Sequence, residues 1–135
     1  MGYQNERFIH FGMASARLDD LANYIPARLT GLLLVGAAFL LKMNPQRALA
    51  AIQRDAPGHP SPNSGIPESA VAGALGVRLG GLNYYHGRES FRAYMGEALT
   101  HLEPEHIKQA VKLMYLTSAL AVALGLLIAV LIYRY

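Results

Sequence analysis

The chain has no cysteine. Disulfides, zinc–thiolate sites, iron–sulfur clusters and cysteine nucleophiles are therefore excluded. Charge is scarce as well: 16% of the residues are Asp, Glu, Lys or Arg, against about 25% in a soluble domain. Hydrophobic residues make up 53%, and together the two figures point to a membrane. The 12 basic and 9 acidic residues leave a net charge of +3. The basic residues are scattered, which gives no case for a nucleic-acid partner. Enzyme signatures are missing too. There is no GxSxG, no HExxH and no pair of histidines at zinc spacing. A phosphate loop of the form GxxxxGKS/T is absent, as is a strand–GxGxxG–helix context. The N-terminus lacks the apolar core and cleavage site of a signal peptide, and Glu6 stands where a myristoylation signal needs Ser or Thr. The opening reads like the middle of something longer. A length of 135 residues suits one domain and not two.

What is present begins with a long apolar run. Leu113–Tyr133 carries 21 residues without a charge. As a helix it rises about 31 Å, the thickness of a bilayer's hydrocarbon core. Tyr115 and Tyr133 lie near its ends, Lys108 and Lys112 precede it and Arg134 follows, as interfacial anchors do. So short a chain cannot enclose such a helix on all sides, which argues against a buried core helix. A second run, Leu29–Leu41, has only 13 uncharged residues and spans about 20 Å. That length suits a re-entrant or protein-buried helix better than a full span. Pro26 fits a first helical turn, Arg28 can snorkel, and Lys42 and Pro45 mark the end.

Ahead of it, Asn5–Tyr24 reads as a helix, and Ala48–Arg54 as a short one. Asp55–Pro67 holds Pro57, Gly58, Pro60, Pro62, Gly65 and Pro67, a density that only a loop accommodates. Pro67-Glu68 opens another helix, rich in small residues, which Gly80-Gly81 is expected to end. Asn83–Leu99 is polar and aromatic without convincing strand alternation. Thr100–Glu103 and Pro104-Glu105 both offer start signals for the helix that leads into the apolar run. The expectation is an all-α integral membrane protein forming a single domain over 1–135. It has an embedded helix at about 26–42, a Pro/Gly-rich polar loop and helix at 55–85, and a transmembrane helix at 113–133.

Three clusters could carry chemistry. In Arg17–Arg28, Asp19 and Asn23 share a helix face and Asp20 lies beside them. Paired carboxylates suit Mg²⁺ completed by phosphate and water, and Arg17 and Arg28 suit anionic oxygens. A solvated interfacial helix would look the same. In His59–Glu68, an imidazole, the hydroxyls of Ser61 and Ser64, the Asn63 amide and the Glu68 carboxylate fall within ten residues. Prolines stiffen this stretch, and His59 suits acid–base work near neutral pH. An ordinary surface turn has the same composition. In Gly76–Tyr85, Arg78 interrupts an apolar stretch, and the glycines ahead of Asn83 and Tyr84 permit close approach. His86, His101 and His106 are isolated and read as surface residues. Met13, Met43, Met95 and Met114 read as packing.

Taken together, Gly2–Phe8, FGMASARLDDLANYIPARLTGLLL and RDAPGHPSPNSGIPESAVAGALGVRLGGLNYY resemble the adenosylcobinamide-phosphate synthase (CobD/CbiB) family of cobalamin biosynthesis. The resemblance covers nearly the whole chain in order and spacing. Departures fall at Met13, where a bulky aromatic is usual nearby, at Ile66, commonly aromatic, and at Leu82, commonly proline. Members also carry a long N-terminal membrane portion, so the chain resembles their C-terminal part, from a fragment, a split gene or an internal start. The resemblance implies an amide ligase that joins adenosylcobyric acid to an aminopropanol or its phosphate with ATP and Mg²⁺. It implies His59 and Glu68 as catalytic residues, with His59 the base and Glu68 also available to the metal. Asp19 and Asp20 would hold Mg²⁺. Arg17, Arg28, Ser61, Asn63, Arg78, Asn83 and Tyr84 would bind substrate. The implied partners are the corrinoid, the amino-alcohol phosphate, the lipid bilayer, and either the missing N-terminal portion or further copies of the chain.

One geometric condition follows. If Leu29–Leu41 crossed a bilayer fully, Arg17–Arg28 and His59–Glu68 would lie on opposite faces, and one site could not use both. A short, buried or re-entrant helix removes the conflict. Lys42–Lys112 carries eight basic residues and the tail after the apolar run only Arg134, which favours the long segment on the cytoplasmic side of the cell membrane. Two other readings fit parts of the chain. Asp19-Asp20-x-x-Asn23 resembles a prenyl-diphosphate motif but lacks a second acidic motif. A truncated, non-catalytic fragment, or a subunit needing its N-terminal half, is the other.

Overall fold

A computed structural model describes residues 9–85 and 88–134. Gly2–Phe8, the first residues of the expected Asn5–Tyr24 helix, and His86 lie outside them. The order of elements is α1 (Ile9–Ala22), α2 (Tyr24–Leu40), α3 (Pro45–Asp55), α4 (Gly65–Leu75), β1 (Leu79–Tyr85), β2 (Arg88–Met95) and α5 (Pro104–Tyr133), with a 3₁₀ turn at Ala56–Gly58.

α2 begins earlier than expected, with Pro26 in its first turn, and runs about 25 Å. It ends where Lys42 takes a positive φ of 57°. Asn44 then caps α3 by accepting the Arg47 N–H at 2.9 Å, and Pro45 fills the first helical position. α3 runs back along α2 for about 16 Å, so that Ile52 and, from α4, Ile66 close over Gly31. α4 packs on α3 at Gly73, beside Ala51 and the Arg47 carbonyl. Leu34, Ala37, Ala38, Ala48, Ala70, Ala74 and Leu113 form the core of these helices. Alanine dominates because the backbones approach closely, the packing habit of small-residue helices.

The all-α expectation is corrected by β1 and β2, an antiparallel hairpin pairing Leu82 with Phe91 and Tyr84 with Glu89. Its pattern was hidden for two reasons. Leu82, Tyr84, Phe91 and Tyr94 are all exposed, so no buried face imposes apolar–polar alternation. Gly80 and Gly81, expected to end a helix, instead sit at a register shift within β1 with φ near +98° and +95°, a bulge that favours glycine. The helix really ends at Gly76, whose φ of 68° forms a left-handed cap.

α5 starts well before its apolar part, with Pro104 at its first position. The His106 ring accepts the Glu103 N–H at 3.0 Å, so His106 is a capping residue rather than an idle surface histidine. Only the first half of the helix packs on α2, through Leu113, Leu116 and Leu120. Among the described helices, α5 alone is by itself long and apolar enough to cross a membrane. Its most apolar stretch is 6% buried. α1 and α2, bent by 44°, meet the same length and composition criterion together. Met95 is buried and Met43 packs against the core, whereas Met13 and Met114 are half exposed and pack little.

Candidate functional site

The return of α3 decides the geometric condition. α2 leads away from the Arg17–Arg28 cluster, α3 leads back, and the 3₁₀ turn delivers His59–Ser64 to the end of α2 where the chain set out. Asn63 joins the two segments. Its side-chain Oδ1 accepts from Arg28 Nη1 at 3.2 Å and its Nδ2 donates to the Asp20 carbonyl at 2.8 Å. Asn63 is 7% exposed, so both bonds are shielded from water and the loop's placement depends on them. Arg28 is further held by a 2.8 Å bond to the Tyr24 carbonyl, and its guanidinium lies 3.2 Å from the centre of the Tyr24 ring.

The loop is organised from within. Ser61 Oγ accepts the N–H groups of Asn63 and Ser64, each at 3.4 Å, so Ser61 shapes the turn into α4. His59 Nδ1 lies 3.0 Å from both the Ser61 N–H and the Ser61 carbonyl. It accepts from the first in one tautomer and donates to the second in the other. Nε2 lies 3.9 Å from Glu68 Oε2. The His59 side chain is only 17% exposed. Arg28, Ile52, Gln53, Ala56, Pro57, His59, Pro60, Pro62 and Ile66 line a cleft of about 470 Å³, within the usual size range of small-ligand pockets.

Other expected site residues lie apart from it. Arg78 stacks on Tyr94 with its guanidinium 4.5 Å from the ring centre. Asn83 donates to the Gly81 carbonyl at 3.2 Å, and the Tyr84 hydroxyl to Glu89 at 2.9 Å. All three are engaged within the hairpin, and neither they nor Arg17, exposed on α1, line the cleft. Asp19 accepts the Asn23 amide at 3.0 Å through one oxygen. Asp20 makes no side-chain bond to a described residue. Among the described residues no three His, Asp or Glu side chains converge. Each carboxylate keeps an oxygen free of bonds to described residues, which a hard divalent ion completed by water and phosphate could use.

Sequence reasoning missed Asp55. Its carboxylate pairs with Arg54 at 2.7 and 2.9 Å and accepts the Gly96 N–H at 2.7 Å. Arg54 also pairs with Glu97. The end of the hairpin is thereby tied to the end of α3. A two-stranded hairpin is marginal by itself, so the tie matters, but Asp55 has no sequence neighbour that reveals Gly96 as its partner. The Arg54 guanidinium, helped by the Gly96 N–H, holds the Asp55 carboxyl below the usual carboxylate range against the opposing effect of burial. A lowered folded-state pKa means stability that is present above the unfolded value, about 3.9, and lost as pH falls through the folded one. In circular-dichroism melts below about pH 4, the wild type is expected to lose melting temperature more steeply than Asp55→Asn. Equal slopes would show that the pair does not stabilise the fold.

The family described as CobD/Cbib protein matches residues 1–114. The chain belongs to that family. Among its CobD/CbiB relatives, the cobalamin biosynthesis protein CobD of Geobacter metallireducens is 51% identical over 125 residues, covering 93% of this chain and 39% of the relative. The protein of the same name from Pelobacter propionicus is 46% identical over 132 residues, 98% of this chain and 41% of its own. Cobalamin biosynthesis protein CbiB of Salmonella paratyphi B is 44% identical over 124 residues, 92% of this chain and 39% of its own. The chain thus spans about two-fifths of the length of these CobD/CbiB relatives. No solved structure matches it.

Proposed function

We propose that this chain serves cobalamin biosynthesis as the site-bearing part of a membrane amide ligase. The reaction joins the free carboxylate of adenosylcobyric acid to the primary amine of aminopropanol or its phosphate. A carboxylate oxygen attacks the γ-phosphorus of ATP, ADP leaves, and an acyl phosphate forms. The amine nitrogen then attacks the acyl carbon and gives up a proton, the C–O bond breaks, and inorganic phosphate leaves with the amide formed. His59 takes that proton, with Glu68 supporting the charged ring. Asp19 and Asp20 would hold Mg²⁺, which neutralises phosphate charge when bound. The observation that carries this reading is the Asn63 junction, which puts a fixed cation, Arg28, and a near-buried imidazole, His59, on one cleft.

The bare apolar face of α5 supports a place in the cell membrane, because lipid suits a surface that water does not. Residues 42–112 are then cytoplasmic, where ATP and the amine are available. The same bare face favours a second reading, in which the chain acts only with the N-terminal portion its relatives carry or with further copies of itself. The test is an assay of corrinoid amide in membranes holding the chain alone, and holding it with the N-terminal part of the Geobacter metallireducens relative. ATP-dependent amide in the second preparation is expected. Its absence from both, with each piece present in the membrane, would defeat the ligase reading.

A further inference from the structure

The hairpin carries an apolar patch that the fold leaves uncovered. Leu82 and Phe91 face each other across the strands. Tyr84, two residues from Leu82, shares their side of the sheet. The Tyr94 ring meets the Phe91 ring edge-on, with centres 5.6 Å apart and planes at 88°. Leu82, Phe91, Tyr84 and Tyr94 are 53%, 65%, 66% and 49% exposed. One contiguous, largely aromatic surface thus stands bare on an element that is marginal without support. The Arg78 guanidinium lies over the Tyr94 ring, 4.5 Å from its centre. Residues 78–95 hold three arginines and one glutamate. That glutamate, Glu89, accepts the Tyr84 hydroxyl at 2.9 Å.

Packing fixes where the patch is rooted. The Gly76 carbonyl accepts the N–H groups of Leu99 at 3.1 Å and Thr100 at 3.2 Å, which pins the two ends of the hairpin segment together. Ala74, two residues before Gly76, shares a core with Leu113, the first residue of the charge-free part of α5. β1 begins five residues after Ala74, a reach of about 18 Å at most. The hairpin is therefore rooted close to the level at which α5 turns apolar, just beyond Lys108 and Lys112. Tyrosines with a polar tip, an exposed phenylalanine and a cation stacked among them suit the layer between water and hydrocarbon.

We propose that the hairpin docks on the bilayer surface, with Leu82, Tyr84, Phe91 and Tyr94 in the headgroup layer and Arg78 on lipid phosphate. The proposal rests on the reading of α5 as a membrane helix and adds a second contact with the same bilayer. Its effect is positional. Asp55, at the end of α3 ahead of the His59 loop, accepts the Gly96 N–H at 2.7 Å, so a docked hairpin sets the height and tilt of the cleft over the membrane.

The chain has no tryptophan, so a single introduced one reports its own surroundings. Full-length Phe91→Trp and Leu126→Trp chains are reconstituted in vesicles of phosphatidylcholine and phosphatidylglycerol, brominated either next to the headgroup or at the chain end. Phe91→Trp is expected to lose more fluorescence to the shallow bromine, as a depth of about 5–10 Å implies. Leu126→Trp, exposed within the apolar part of α5, should lose more to the deep one. Adding Arg78→Gln to the Phe91→Trp chain should weaken the shallow quenching; unchanged quenching would overturn the phosphate contact. Thermal melts identify a Phe91→Trp chain that has lost its fold, in which case Tyr94→Trp, whose indole keeps the Arg78 stack, carries the test. Quenching of Leu126→Trp without quenching of Phe91→Trp would overturn the docking and leave α5 in the membrane. No quenching of either would remove both. A Phe91→Trp indole shielded from aqueous iodide yet untouched by bromine would be covered by protein, which also overturns the proposal.

Discussion

Replacing His59 with glutamine is expected to lower amide formation by about 10²–10⁴-fold in the active assembly, the usual loss when a positioned base is removed. The expectation depends on tautomer. Nε2 can take a proton from the attacking amine only when the ring proton sits on Nδ1, donated to the Ser61 carbonyl 3.0 Å away. Glu68, 3.9 Å from Nε2, then stabilises the imidazolium as it forms. Glu68→Gln should therefore slow the reaction about 10-fold, less than loss of the base itself. Both effects should appear in kcat with little change in KM, because the proton moves only in the reacting complex. A His59→Gln rate within about twofold of wild type would remove His59 from the chemistry.

Asn63→Ala should lower the same rate by about 100-fold while leaving helix content intact. The effect is one of position. It holds the loop against α1 and α2 through one bond to a charged donor and one to a backbone carbonyl, worth about 2–4 kcal/mol together. Without it His59 and Arg28 lose their common frame, and a misplacement of about 1 Å is enough to cost two orders of magnitude. Topology gives a second readout. Leu21→Cys and Ser64→Cys, both exposed neighbours of the junction, should react with an impermeant thiol reagent from the same side of a membrane. Labelling from opposite sides is incompatible with a shared cleft.

Much of this protein is local and therefore legible without coordinates. A helix needs only its own residues to show an uncharged run as long as a bilayer is thick, so α5 stands out, and Pro104 marks its start by local chemistry. Pro45, expected to mark the end of the preceding run, instead opens α3 after the Asn44 cap. The Pro-rich loop is equally evident, because proline excludes helix wherever it falls so densely. The hairpin was not evident. Its strands bury no continuous face, and its two adjacent glycines look like a helix stop until a partner strand turns them into a bulge. Nor does the sequence show that Arg78, Asn83 and Tyr84 find partners within the hairpin itself.

By itself the sequence determined the apolar helices and the Pro-rich loop, their polarity and the family they resemble. Only the tertiary structure decided which clusters meet. Arg28 and Asn63 are 35 residues apart and Asp20 and Asn63 are 43 apart, separations over which no periodicity or composition carries information. Their meeting depends on the length and direction of α3, which folds back on alanines that mark close packing without naming a partner. Asp55 and Gly96 follow the same rule across 41 residues. Contact between distant residues is set by how helices stack, and that is a property of the whole chain.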